Sequence, residues 1–500
     1  MAPMFLKAGA LSLALLLASR LLGLVRESAQ AAAFGTTGLA DAAVLMLTLP
    51  DWLTGVLASG ALAYVLLPHW AGQSPEQQAA TQRRGARGLI VLGLVLAALL
   101  AWQRDAVLQA LAPGLSPALR VAASQGLLWS AVAVPAALLA ALWTTRLQHE
   151  RDFTGMYGAN LVVNVVVVLA ILLIAYYDHS TGTLALLGMG LMAAMTLRLV
   201  WLALRLPQPA RNREMATAVP AGWPAVPVWA WAVLAAGLPL ALPFAARSVA
   251  SQAGEGALAT FNYAWKLVEL PLVLAIQLVA SLAFPAITRA LAGRDDAAHA
   301  VQGHEAARAV RGAFALAWTL ACACAAGLIV AAPAVAQLLF GWGRMSPAAI
   351  AQVAQWGAVG AWGLLPQALI AVALTVLAAR GRMHAAVLAY AVALALLLAA
   401  GAAGVHDGAR LMLLLNALLA GVAVVCVLAL GAPARAWLPW RAMGASLGGL
   451  LVVALLQMGG STLILMLNWP VVLAVGSFVA ILLIAFTWWV APDLRAALRR

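Results

Sequence analysis

The stretch AGALSLALLLASRLLGLVRE, residues 8–27, decides how the rest of the chain is interpreted. A helix of this length rises about 1.5 Å per residue and so spans the roughly 30 Å hydrocarbon core of a bilayer. Arg20 and Arg26 nevertheless lie in its second half. A charge near the bilayer centre costs at least about 2.5–3.5 kcal/mol on insertion scales, so such residues usually face a cavity. The stretch therefore predicts a membrane-spanning helix that carries functional charges.

A secretory signal peptide is the alternative interpretation of this stretch, since Lys7 precedes the apolar run. The small-residue cleavage pattern is poor, and the run continues directly into Arg20. We therefore favour the spanning helix.

The composition places the whole chain in a membrane. Of the 500 residues, 65% are hydrophobic and 9% are charged, and the mean hydropathy is +0.98. Such a balance excludes a soluble globular protein. Apolar runs of helix-spanning length recur from end to end, whereas barrel strands would show shorter alternating segments. We predict an all-α polytopic membrane protein.

Other function classes find little support in the residues. The net charge is +13, but Lys and Arg are spread over many short loops without an aromatic-lined basic tract, which argues against nucleic acid as a partner. The three Cys lie inside apolar runs, and the seven His form no cluster with ligand spacing. We predict no metal site, no cofactor and no enzyme activity.

Fourteen membrane spans are predicted from the apolar runs. The second and eighth are longer than a bilayer needs and contain Pro50 and Pro271, so we expect them to tilt or kink. The spans are 8–28, 38–68, 86–103, 122–146, 155–176, 182–204, 224–250, 257–288, 309–338, 349–379, 383–402, 409–430, 441–459 and 468–491.

The distribution of Lys and Arg predicts the orientation. If the N-terminus and every second loop share one side, that side holds 20 of the 29 basic residues and the opposite side holds five. Basic residues favour the cytoplasmic side. We therefore expect both termini in the cytoplasm, and the asymmetry supports fourteen spans.

A weak internal repeat predicts the domain organisation. LADAAVLMLTLPDWLTGVLASGALAYVLLP (39–68) resembles LATFNYAWKLVELPLVLAIQLVASLAFP (258–285), each with a mid-helix Leu-Pro and a closing Pro. Chance similarity between Leu/Ala-rich helices is the alternative. Repeated halves around a midplane site are typical of transporters. We predict six-helix lobes at 1–220 and 221–430, related by a pseudo-twofold axis and joined by the polar linker 205–224, with two further helices in 431–500.

Several ionisable residues lie within or near the spans, and cations are in excess. Guanidinium groups in a low-dielectric cavity suit phosphate oxygens, which accept paired hydrogen bonds, so we expect an anionic cargo carrying a phosphate or diphosphate. Arg198 lies close enough to a helix end to snorkel and is discounted. The candidate substrate-binding residues are Arg20, Arg26, Arg247 and Lys266, and the candidate gating or charge-coupling residues are Glu27, Asp41 and Glu269.

Structural roles remain open for some of these residues. Arg26 is near enough to the end of its span to snorkel, and Glu27 can neutralise one arginine because it lies on nearly the same helix face as Arg20. Lys266 and Glu269 are three residues apart, which allows a purely structural salt bridge within one helix.

The sequence resembles a known family in five segments. The opening SRLLGLVRESAQAAAFGTTGLADA (19–42) and ASGALAYVLLP (58–68), then RSVAS (247–251), NYAWKLVELP (262–271) and LLFGWGRMSP (338–347), are similar to the MurJ (MviN-type) lipid II flippases of the MOP exporter superfamily. The resemblance implies alternating access that moves an undecaprenyl-diphosphate-linked peptidoglycan precursor across the inner membrane. It also implies a lipid-tail groove formed by the last two helices.

The family's functional residues map onto several positions. Arg20 and Arg26 match its two functional arginines on the first helix, Asp41 its aspartate on the second, and Arg247 an arginine on the seventh. Lys266 stands where the family usually has an arginine, which keeps the charge but loses the bidentate fork.

The chain also departs from the family. Thr54 and Gly55 stand where basic residues are expected, Ser59 where Glu is expected, and Trp265 where an acidic residue is expected. A paralogue that exports another polyprenyl-diphosphate-linked glycan, for exopolysaccharide or O-antigen, is therefore the nearest alternative.

The expected partners are the lipid-linked saccharide, membrane lipids and the cell-wall synthesis machinery. Two alternatives come from other functional classes. A membrane glycosyltransferase or ligase is disfavoured because the loops are short. A non-transporting scaffold is disfavoured because charged residues lie within the membrane spans.

Overall fold

The computed structural model describes residues 2–177, 182–207, 223–292, 299–465 and 468–498. Most of the predicted linker 205–224 lies outside these ranges, as do the side chains of residues 2–13, Lys7 among them, and of Ser59. Within the described residues the secondary structure is entirely helical, which confirms the predicted class.

Fourteen long helices follow one another along the chain, and three of them change helical type on the way. Thirteen helices within the described part are long and apolar enough to cross a membrane, and they correspond one for one to the second to fourteenth predicted spans. The predicted first span lies within the first helix, whose early side chains fall outside the description. The helices are α1 (Ala2–Phe34), α2 (Gly38–Val56, Leu57–Ala61 and Leu62–Ala71), α3 (Pro75–Trp102), α4 (Pro117–His149), α5 (Phe153–Tyr177), α6 (Thr183–Arg205), α7 (Val226–Ala250), α8 (Ala257–Pro271, Leu272–Gln277 and Leu278–Ala292), α9 (His299–Phe340), α10 (Pro347–Gly360, Ala361–Gly363 and Leu364–Ala379), α11 (His384–Ala402), α12 (Gly408–Ala429), α13 (Trp440–Leu465) and α14 (Trp469–Val490).

Polar caps define where several helices begin. Thr37 accepts a hydrogen bond from the Ala40 amide at 3.3 Å and starts α2. Ser74 and Gln77 form a reciprocal capping box at the start of α3, with Pro75 in the first turn, where a missing N–H costs nothing. The starts of α2 and α3 are therefore encoded locally.

The two long helices predicted to kink, α2 and α8, each contain a π-helical segment. In α8 this segment, Leu272–Gln277, follows directly after Pro271. In α2 it is Leu57–Ala61, seven residues beyond Pro50. Proline removes a backbone hydrogen bond, and a π segment widens the helix without breaking it. Each of the two helices thus has a π segment after its mid-helix proline, at a different distance from it, and the internal repeat stays a prediction.

By their internal contacts, the helices separate into two compact units. Unit 1 comprises Met1–Phe244 and Ser251–Ala259, and unit 2 comprises Ala245–Ala250 and Thr260–Arg500. The division falls within α7 and at the start of α8, and α13 and α14 belong to unit 2. The lobe limits drawn from the sequence stay a prediction.

Each unit is built around one central helix. In unit 1, α4 packs against α2, α3 and α6, while α5 packs against both α1 and α6. In unit 2, α9 packs against α8, α10, α13 and α14.

Small residues allow a close approach of two helices in unit 2. A Cβ added at Gly476 on α14 would lie 2.8 Å from the carbonyl oxygen of Gly327 on α9. One added at Gly327 would lie 3.1 Å from the carbonyl oxygen of Gly476. Close approach of this kind gains dispersion energy, which drives helix association in lipid.

Replacing Gly476 by Ile should therefore destabilise unit 2. Forced separation of two packed helices costs about 1–3 kcal/mol. We expect a lower apparent Tm of the detergent-solubilised protein in a fluorescence size-exclusion assay. Gly448→Ile on α13 is the matched control, because an added Cβ there meets nothing within 4 Å. Equal Tm values for the two variants would contradict this packing.

Candidate functional site

Arg26 on α1 lies at the centre of a charged cluster in unit 1. Its Nη1 donates to Oδ2 of Asp51 on α2 at 2.7 Å, and its Nη2 donates to Oε1 of Glu27 at 3.2 Å. The side chains of Arg26 and Glu27 are 13% and 8% exposed, whereas that of Asp51 is 37% exposed. Both carboxylates reach the same guanidinium, so Arg26 is neutralised within the protein and does not snorkel to an interface.

Arg20 stands apart from this cluster. It is exposed, and within the described residues it makes no hydrogen bond or ion pair. The neighbouring Ser19 is buried and its carbonyl accepts a 3.4 Å hydrogen bond from Asn164 on α5. Ser19 thus fixes the face of α1 that packs in the bundle, and Arg20 points about 100° away from it. Among the four candidate cations, Arg20 is the one whose charge the described side chains leave uncompensated.

Arg198 on α6 is a buried cation that sequence reasoning missed. Snorkelling to a helix end was expected, but the residue is 3% exposed and its Nη2 donates to Oδ1 of Asn160 on α5 at 3.2 Å. The expectation was wrong because Asn160 offers a partner inside the unit. The only sign of this pairing in the sequence was Asn160, which lies in the preceding predicted span, 155–176.

Asp41 on α2 has a different environment from the Arg26 cluster. It is 1% exposed, and its two carboxylate oxygens accept hydrogen bonds from the amides of Gly256 and Ala259, both at 2.7 Å. Gly256 directly precedes α8 and Ala259 lies in its first turn, where backbone N–H groups have no partner within the helix. Asp41 therefore caps a helix that starts more than 200 residues later, and holds the segment Ser251–Ala259 within unit 1.

The positions that depart from the family are filled by groups that carry no charge. Thr54 is 9% exposed, and its hydroxyl donates to the carbonyl of Pro50 at 2.9 Å. The hydroxyl is therefore bonded within its own helix. Trp265 is 5% exposed and therefore part of the core of unit 2. Neither residue offers a group to an anion.

In unit 2, Lys266 and Glu269 form a salt bridge within α8. Lys266 Nζ lies 2.8 Å from Oε2 of Glu269, and the side chains are 20% and 32% exposed. The structural pairing that their spacing allows is therefore present. Arg247 is half-buried near the end of α7, in the same unit.

The predicted residues thus fall into separate groups. Glu27 and Asp51 meet at Arg26, Lys266 pairs with Glu269, and Asp41 acts at a helix end. Throughout the described ranges, no group of three or more His, Cys, Asp and Glu side chains is placed to hold a metal ion.

Comparison with known proteins identifies the family. Residues 30–484 match the family model of the lipid II flippase MurJ. No curated protein sequence matches the chain.

Solved structures share the fold at low sequence identity. Lipid II flippase MurJ in an inward closed conformation has a TM-score of 0.74 and 14% identity, over 96% of this chain and 99% of that one. An inward-facing multidrug resistance MATE family transporter of the MOP superfamily has a TM-score of 0.62 and 13% identity, over 87% and 95%. MATE in complex with MaL6 has a TM-score of 0.55 and 13% identity, over 88% and 97%.

The family match spans most of the chain, and the fold agrees with it from the first helices to the last. Thirteen apolar helices within the described residues have the length to cross a bilayer. The chain belongs to the MurJ lipid II flippase family, and it is a multi-pass membrane transporter for a lipid-linked precursor and not an enzyme.

Proposed function

We propose that the chain carries lipid II, the undecaprenyl-diphosphate-linked peptidoglycan precursor, from the cytoplasmic to the periplasmic leaflet of a bacterial inner membrane. The observation that carries this proposal is Arg20, an exposed cation within a membrane helix that has no counter-charge among the described residues. An ion in such a place is costly unless a ligand or water meets it. A diphosphate headgroup supplies the missing negative charge.

The four candidate cations have different roles in this proposal. Arg20 attracts the diphosphate first, because no side chain competes for it. Arg26 joins when the substrate displaces its carboxylate partners, and Arg247 and Lys266 contribute from the second lobe. The cycle is alternating access of lobes 1–220 and 221–430, with helices in 431–500 guiding the lipid tail and both termini in the cytoplasm.

Asp41, Glu27 and Glu269 control the charges and the gate. Glu27 and Glu269 hold Arg26 and Lys266 while the site is empty. Asp41 holds the turn before α8 closed through two charge-assisted hydrogen bonds, and these bonds break when the gate opens.

A paralogue function is favoured by one specific observation. At Thr54 the family pattern has a cation, but here a buried hydroxyl is bonded to its own helix. A site with less positive charge suits a different glycan on the same polyprenyl diphosphate. This is the second candidate function.

Depletion of the native lipid II flippase in a bacterial host, with this gene supplied in trans, tests the cargo. Survival is expected if lipid II is the substrate. Lysis despite normal abundance in the membrane would overturn lipid II as cargo and favour the paralogue function. The gene carrying Arg20→Ala serves as the transport-deficient control.

Arg20→Ala should abolish rescue while leaving the protein inserted at normal abundance. Arg20→Lys should restore little, because an ammonium cannot form the paired hydrogen bonds of a guanidinium with phosphate. Rescue is measured as colony formation, and abundance by immunoblotting of membranes. Leu21→Ala, which alters an exposed neighbour on the same helix, is the control. Normal rescue by Arg20→Ala would contradict the role given to this charge.

Asp41→Asn should loosen the gate. The substitution removes the negative charge and leaves one amide without an acceptor, and each lost hydrogen bond of this kind costs about 1.5–3 kcal/mol. We expect faster hydrogen exchange at the amides of Gly256 and Ala259, measured by mass spectrometry on the purified protein. In Asp105→Asn, which alters a carboxylate bonded to Ser124 elsewhere in unit 1, exchange at these amides should not change. Unchanged exchange in Asp41→Asn would refute the gate.

A further inference from the structure

Arg198 needs a negative partner that its hydrogen bond does not supply. Arg198 is buried, with 3% of its surface exposed. Its one hydrogen bond within the described residues goes to the neutral amide of Asn160. Its Nε has no acceptor within the described residues. A buried cation facing only a neutral group is strongly destabilising, so a carboxylate must balance it.

Asp51 is the carboxylate placed to do this. Helix α2, which carries Asp51, packs against α6, which carries Arg198. Asp51 is also the anionic group that attracts the Arg198 guanidinium electrostatically. The same carboxylate accepts the 2.7 Å hydrogen bond from Arg26. Asp51 therefore bonds Arg26 directly and acts on Arg198 only through its charge, since no ion pair joins Asp51 and Arg198 among the described side chains.

The two arginines differ in what can reach them. Arg26 retains exposed surface, whereas Arg198 is sealed inside unit 1. A ligand can therefore contact Arg26 directly, whereas Arg198 can affect the ligand only through Asp51. Together with Glu27, the cluster contains two positive and two negative charges, so its formal charge is zero.

We propose that Arg198 is a positioning residue that takes over Asp51 when an anionic diphosphate binds Arg26. The carboxylate then changes partner, from Arg26 to Arg198, and is not left uncompensated when the substrate displaces it. The inference rests on the proposed function for the identity of the anion.

The charge count gives the expected effect of substitution. Arg198→Gln leaves Arg26 with two carboxylates and a net charge of −1 in the cluster, so Arg26 is released less readily. Arg198→Gln with Asp51→Asn returns the cluster to zero, with Arg26 held by Glu27 alone. The single variant should bind a diphosphate at least ten-fold more weakly than the native protein, and the double variant should return to within about three-fold of it, since each factor of ten corresponds to about 1.4 kcal/mol.

Binding of undecaprenyl diphosphate without saccharide, measured by native mass spectrometry of the purified full chain, tests the proposal. Arg146→Gln is the matched control, because Arg146 is a buried arginine of unit 1 that pairs with Glu150 away from this cluster. Its affinity should equal that of the native protein. A residue with only a structural role would not be rescued by removal of the carboxylate.

The outcomes separate this inference from the proposed function. If the native protein does not bind undecaprenyl diphosphate, the proposed function fails. If it binds and Arg198→Gln binds equally well, or if the double variant remains ten-fold weakened, the role of Arg198 is refuted while the proposed function stands. If Arg198→Gln does not fold, the double variant alone decides, since it leaves no unpaired charge in the cluster.

Discussion

Every polar group in hydrocarbon must find a partner inside the protein, and this constraint shapes the chain at all levels. Backbone groups are satisfied within helices, which is why the described residues contain no other regular structure. Where Pro271 would interrupt α8, a π segment keeps the helix continuous. The same constraint gathers Arg26, Glu27 and Asp51 into one cluster and draws the Arg198 guanidinium to Asn160. Arg20 departs from the pattern, and its proposed role in binding rests on this departure.

The membrane helices could be predicted from the sequence because hydropathy and span length are local properties. The second to fourteenth predicted spans each correspond to a helix, although α3 and α4 begin well before the apolar residues do. The salt bridge between Lys266 and Glu269 could also be predicted from the sequence, because side chains three residues apart on a helix lie close together.

Partners from distant parts of the chain could not be predicted in this way. Asp51 was visible as an ionisable residue near a span, but its pairing with Arg26 depends on how α1 and α2 pack. Arg198 was misjudged for the same reason. Whether its side chain reaches the helix end or stays buried depends on whether the neighbouring helix provides a partner, and Asn160 does so. Family resemblance indicated candidate positions, whereas the charge balance around each of them depends on how the helices pack.

The cap that Asp41 provides to α8 has a consequence for biosynthesis. The carboxylate and the amides it accepts from are 215 and 218 residues apart, so the ribosome completes α2 long before it reaches α8. Gly256 makes the approach feasible, since its φ of 80° places it against the carbonyl of Thr36, where a side chain would collide. The amino end of α8 thus obtains its hydrogen-bond acceptors from a helix already inserted. Unit 1 is therefore complete only after residue 259 has been synthesised, and a chain interrupted before residue 256 lacks the segment that Asp41 holds in unit 1.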